Sequence, residues 1–229
     1  AVSGAPFIFM NAAGTLDDVT TMVHEGGHAI HSFLCHTLPL NGFKEYPTEI
    51  AEVASMTMEL FSMDHWDVFF SDPAELSRAK EQQLERVITI FPWIATIDKF
   101  QHWIYTHPTH THFEREEQWM KIVQEFTSPL VDFTGLEKYR GVLWQRQLHL
   151  FEVPFYYIEY GIAQLGAIGL WQQYKKDPAA ALQNYLQALS LGGTRTLPQL
   201  FEAAALSFDF SGPKISQLMQ FVKSELDQI

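Results

Sequence analysis

Three features of the sequence predict an all-α chain with at most a short strand near its start. Apolar residues recur at helical spacing, most plainly through Leu84, Val87, Ile88, Phe91, Ile94 and Ile97. Helix starts are punctuated by Thr15 with Asp18, Thr111 with Glu114 and Thr196 with Gln199, which are capping boxes or an acid variant of one. Asp72-Pro73 and Asp177-Pro178 mark two more, because an acid caps and a proline suits the first turn. Only Pro6–Met10 reads as strand, and no other segment is an evident partner for it.

The elements follow in order. A turn at Asn11–Thr15 leads into a helix over about Leu16–Cys35. Pro39–Gly42 is a loop, and Pro47–Phe61 a second helix. The helix opened by Asp72-Pro73 runs on to Pro108, with a kink expected at Pro92. A further helix follows the Thr111 cap to about Phe126, and two more are predicted over Leu136–Leu150 and Pro154–Tyr174. Helices to about Leu191, near Pro198–Leu206 and after Gly212-Pro213 complete the chain. No repeat, low-complexity tract or linker divides it, so residues 1–229 are read as one domain.

Composition narrows the functions. The 229 residues are 47% hydrophobic, enough to bury a core. No run approaches the roughly 20 apolar residues of a membrane span, and the start lacks the basic region of a signal peptide. Cys35 is the only cysteine, which excludes an intrachain disulfide and fits a reducing, cytoplasmic setting. With 27 acidic against 15 basic residues, the formal charge of −12 argues against nucleic acid and membrane surfaces as partners.

The stretch Val23-His-Glu-Gly-Gly-His-Ala-Ile-His-Ser-Phe33 carries the chemistry. Glycine inside a helix costs roughly 1 kcal/mol relative to alanine, so adjacent Gly26 and Gly27 need another reason. His24 and His28 lie one turn apart on one helix face, where both imidazoles can reach one ion. Glu25 is rotated off that direction, the position of a general base. His31 is two turns from His24 and is read as a pocket residue rather than a ligand. Histidines on helices are often surface or core residues. The glycines tip the balance, because they clear space beside the pair for a substrate backbone or another helix. A zinc hydrolase needs a third protein ligand. Glu49 and Glu52, one turn apart, are both candidates, and spacing does not choose between them.

These residues carry a family resemblance. His24-Glu-Gly-Gly-His-Ala-Ile-His31, Ala51-Glu-Val-Ala-Ser55 and Glu59 resemble the oligoendopeptidase F branch of the thimet oligopeptidase family. The likeness extends to Asn11, to Gly14-Thr-Leu-Asp-Asp18 and to Phe155-Tyr-Tyr-Ile-Glu-Tyr160. It implies a zincin-like helical catalytic domain, Glu52 as third ligand to one Zn2+, and Glu59 hydrogen-bonded to a ligand histidine. It also implies that a histidine and tyrosines of the later segment stabilise an oxyanion. Tyr157 and Tyr160 are the favoured donors, with His149 as helper; the competing reading is an aromatic face packed on the core.

The implied activity is zinc-dependent endopeptidase hydrolysis of short peptides by a metal-activated water, with Glu25 moving the proton. A carboxypeptidase-type zinc enzyme and a non-catalytic metal-binding domain are the alternatives. Phe7–Met10 is expected to offer a strand edge to the substrate backbone. His107, His110 and His112 flank Pro108 and are read as an exposed connection rather than a second metal site. Gly192-Gly-Thr-Arg195 is read as a helix-ending turn, with Arg195 a candidate substrate contact. Because the chain opens at Ala1 without methionine and the likeness begins at once, it is expected to be the C-terminal catalytic part of a longer peptidase. Surface left uncovered by a missing portion is expected to promote self-association.

Overall fold

The Asp18 carboxylate accepts the backbone N–H groups of Thr15 at 2.7 Å and Ala13 at 2.9 Å, which ties the incoming chain to the first turn of helix α1 (Leu16–Cys35). This computed structural model describes residues 5–229. A short 3-10 turn at Asn41–Phe43 leads to α2 (Thr48–Ser62), and α3 (Pro73–Thr106) follows. Pro92 lies inside α3 without ending it, and the Thr96 hydroxyl donates to the Pro92 carbonyl at 2.7 Å. Helix α4 (His112–Phe126) starts on a closed capping box: Thr111 N–H donates to the Glu114 carboxylate at 2.7 Å, and Glu114 N–H to the Thr111 hydroxyl at 3.2 Å.

The predicted helix over Leu136–Leu150 is broken. It comprises α5 (Glu137–Gly141), a 3-10 turn at Leu143–Arg146 and α6 (His149–Glu152). Packing diverts the backbone here: the Arg140 carbonyl accepts the buried Trp119 indole at 2.7 Å, and Val142 leaves helical geometry at φ −108°, ψ 7°. Helix α7 (Ile158–Tyr174) starts four residues later than predicted, because Pro154 and a left-handed Phe155 (φ 62°) precede it. That Phe155 conformation costs roughly 1–2 kcal/mol. Helices α8 (Pro178–Ser190), α9 (Leu197–Ala203) and α10 (Gly212–Leu226) match their predicted starts.

The predicted strand at Pro6–Met10 is absent; none of the described residues is in a strand. An unpaired strand has no ladder to hold it, and Phe7 and Phe9 are both 87% exposed. The strand edge expected to bind substrate is therefore not there. Among the described residues, no helix is long and apolar enough to cross a membrane.

The chain divides into two compact units, one holding the residues up to Arg86 with Ile162–Ile229, the other Val87–Gly161. The first is built on Ile50, Val53, Leu60, Trp66, Trp171, Tyr185 and Phe201. The second packs Ile94, Ile97, Phe100, Trp119, Ile122, Trp144 and Tyr157 into one cluster.

Within the first unit, α1 and α2 touch backbone to backbone. A Cβ added at Gly27 would lie 2.6 Å from the Ala54 carbonyl oxygen and 2.6 Å from Ser55 Cα, whereas one added at Gly26 would meet nothing within 4 Å. The two glycines therefore have different reasons. Gly27 lets the helices approach, and Gly26 leaves space. Tyr185 from α8 donates to the same Ala54 carbonyl at 2.8 Å, holding the crossing from behind. Gly192 (φ +51°) and Gly193 end α8 as predicted, and a side chain on Gly193 would strike the Glu45 carbonyl. Arg195 donates to the Thr194 carbonyl beside it.

Gly27→Ala should destabilise the protein by about 1–3 kcal/mol, the usual range for overpacking. Gly26→Ala should instead be neutral or stabilising by up to about 1 kcal/mol. Urea unfolding of both variants checks this, and equal losses would show that the helix approach is not the tight contact.

Candidate metal centre

The centre is built on two consecutive helices. His24 and His28 project from one face of α1, their rings 5.0 Å apart and nearly perpendicular. The α1–α2 approach brings Glu52 to them: Glu52 Oε2 is 3.5 Å from His24 Nε2 and 4.0 Å from His28 Nε2. Both separations are long for hydrogen bonds. Two ligands of one tetrahedral zinc, each at about 2.0–2.2 Å, lie about 3.4 Å apart, so this donor set fits a zinc ion better than it fits itself. These three residues form the one group of three or more His, Cys, Asp or Glu side chains among the described residues that converges within 4.8 Å. Glu49, the other candidate, is outside it.

A surrounding layer fixes the donors. His24 Nδ1 lies 2.6 Å from Glu59 Oε1. A carboxylate only accepts, so Nδ1 carries the proton and Nε2 presents its lone pair toward Glu52. Glu59 is held in turn by Gln83 of α3, whose amide donates to the other carboxylate oxygen at 2.7 Å. Glu52 is buried, and the Ser55 hydroxyl donates to its Oε2 at 3.2 Å.

Electrostatics differ between His24 and His28. Burial pushes His24 down, but the Glu59 hydrogen bond and the charges of Glu59, Glu52 and Glu25 outweigh it and leave His24 raised. Burial also dominates at His28, with the neighbouring His24 charge adding to it, and His28 is lowered. The Glu25 charge acts on both rings in the upward direction. His31 stands apart from the donors: fully buried and stacked on Tyr46 at 3.6 Å, it is held down to about 3 by burial and the His28 charge.

In the second unit, His149 at the start of α6 and Tyr160 in α7 are joined, His149 Nε2 to Tyr160 Oη at 3.3 Å. Tyr157 is different: it belongs to the core cluster, and burial raises its phenol while a hydrogen bond with Trp93 lowers it in part. The rings of Tyr156, Tyr157 and Tyr160 all lie 5.0–5.6 Å from the His149 ring. His107 stacks on Trp103, and His110 accepts from Arg115 at 2.7 Å, in an exposed connection that belongs to no metal group among the described residues. Sequence reasoning missed Ser55, Gln83, Trp93 and Gln147. Ser55 lay inside the Ala51–Ser55 segment; the other three carry no local signal.

Residues 2–219 match the family model described as peptidase family M3. The oligoendopeptidase F homolog of Borreliella burgdorferi is 23% identical over 205 residues, covering 84% of this chain and 33% of the relative. The chromosomal oligoendopeptidase F of Lactococcus lactis subsp. cremoris is 26% identical over 203 residues, covering 82% and 31%. The solved structure of PZ peptidase A with inhibitor 2 superposes with a TM-score of 0.90 at 30% identity, over 98% of this chain and 40% of that one. The chain thus spans about a third of the length of the curated relatives it matches. A match along nearly its whole length, over a helical frame that gathers His24, His28 and Glu52, makes this chain a member of peptidase family M3.

Proposed function

We propose that this chain carries the metal centre of a zinc-dependent oligoendopeptidase that hydrolyses short peptides. Family membership implies a metal cofactor and peptide substrates. The observation that carries the finer reading is the convergence of His24 Nε2, His28 Nε2 and Glu52 Oε2, with Glu59 on the Nδ1 side of His24 and Glu25 next to His24 in the sequence. His24, His28 and Glu52 hold one zinc per chain. When bound, zinc supplies Lewis acidity toward a peptide carbonyl and toward water. Glu25 takes the proton that water loses on attacking the scissile carbonyl and returns it to the leaving amine. Glu59 keeps His24 in the ligating tautomer, and Gln83 keeps Glu59 in place. By the family resemblance His149, Tyr157 and Tyr160 are the candidates for oxyanion stabilisation, and the His149–Tyr160 bond favours Tyr160 over the core-packed Tyr157. The single thiol fits a cytoplasmic setting.

Metal analysis should find about one zinc per chain, retained in Glu49→Ala and lost in Glu52→Ala. In the wild type, free zinc at 100 times its Kd should stabilise the fold by about 2.7 kcal/mol, and Glu52→Ala should lose that response. Equal metal loss in the two variants would assign the ligand wrongly.

Glu25→Gln should keep its zinc and fold while peptide cleavage falls by about 10²–10⁴-fold, since an amide accepts no proton. Turnover near the wild-type rate on a mixed peptide library would rule out Glu25 as the base. Glu59→Ala, by contrast, should act on the metal itself, weakening zinc affinity by about 10–100-fold in chelator competition.

A further inference from the structure

Four side chains of the second unit form a hydrogen-bonded line. Trp93 Nε1, whose one N–H is shared with the Tyr157 hydroxyl, donates to Gln147 Oε1 at 2.9 Å, Gln147 Nε2 lies 2.6 Å from His149 Nδ1, and His149 Nε2 lies 3.3 Å from Tyr160 Oη. The chemistry of the groups fixes the direction of every proton. An indole N–H only donates, so the Gln147 atom facing Trp93 is the carboxamide oxygen. The other end of the amide is then NH2, also a donor, and it faces His149 Nδ1. That nitrogen must accept, because a proton on it would set N–H against N–H. A neutral imidazole whose Nδ1 accepts carries its proton on Nε2. His149 therefore donates to Tyr160 Oη, and Tyr160, accepting that bond, directs its own hydroxyl proton away from His149.

The line is anchored in packed material. Trp93 meets the fully buried Trp119 edge to face at 5.9 Å and 86°, so the indole that sets the amide orientation is itself held. Aligned donors also polarise one another, which strengthens the last donor in the series.

We infer that Gln147 is a positioning residue: it fixes His149 as the Nε2–H tautomer and makes Tyr160 the last donor of a one-way chain that begins at Trp93. This rests on the proposed role of His149 and Tyr160 toward the oxyanion, a role that requires donors and not acceptors. His149 thus serves as a neutral hydrogen-bond donor and takes no proton from water or substrate.

The test is nitrogen NMR of the histidine-labelled protein, which distinguishes a protonated ring nitrogen from a bare one, combined with peptide kinetics. The wild type should show His149 protonated on Nε2 and bare on Nδ1. Gln147→Glu replaces the donor by a second acceptor, so Nδ1 should gain a proton, and kcat should fall roughly 10²-fold or more with KM little changed. Gln147→Met, which cannot direct a proton, should lose the single tautomer without acquiring the Nδ1–H pattern of Gln147→Glu. A wild-type His149 protonated on Nδ1, or a tautomer unmoved by Gln147→Glu in a folded variant, would overturn the inference. A switched tautomer with unchanged turnover would uphold the tautomer assignment and remove His149 from the reaction, so the two readings fail separately.

Discussion

The proposed metal centre depends on the backbone contact between α1 and α2 at Gly27. With no Cβ there, the Ala54 carbonyl and Ser55 Cα come against α1. Glu52, one turn before Ser55, is thereby carried to the histidine face. Any side chain at position 27 pushes α2 outward, and the 3.5 Å separation between His24 Nε2 and Glu52 Oε2 opens with it. A displacement of a few tenths of an ångström matters, because ligand distances hold within about 0.2 Å. Gly26, one residue away, has the opposite surroundings: a Cβ added there would meet nothing within 4 Å.

Two histidines show how one ring is given two uses by its neighbour. At His24 a carboxylate accepts from Nδ1, so the outward Nε2 is a lone pair suited to a cation. At His149 a carboxamide donates to Nδ1, so Nε2 bears the proton and donates it to Tyr160. The imidazoles are the same, and the adjoining Glu59 or Gln147 decides which nitrogen carries the proton. Each determinant is itself pinned by a further residue, Gln83 for Glu59 and Trp93 for Gln147.

Much of this was legible in the sequence, for identifiable reasons. Capping residues act within a few positions, so the starts of α1, α4, α8 and α9 could be read locally. The spacing of His24 and His28 is likewise a property of one helix. What failed was non-local. The segment from Leu136 to Leu150 has helical composition, but Trp119, from another helix, takes the Arg140 carbonyl and the helix breaks. Pro6–Met10 has strand composition and no strand to pair with among the described residues. Spacing left Glu49 and Glu52 equivalent, because only the packing of α2 on α1 says which carboxylate turns inward; the family resemblance, not the spacing, favoured Glu52. Gln83 and Gln147 are ordinary glutamines until their partners are known.

The order in which these contacts can close follows from their separations along the chain. His24 and Glu59 are 35 residues apart, and the whole ligand set lies within that span. The Tyr185–Ala54 bond behind the helix crossing joins residues 131 apart. Loop-closure entropy grows as 1.5 RT ln n, so the second closure carries about 1.2 kcal/mol more entropic penalty than the first. The α1–α2 hairpin is therefore the element that can gather its ligands with the least loss of chain freedom. Tyr185 then acts as a late latch on a crossing that is already made.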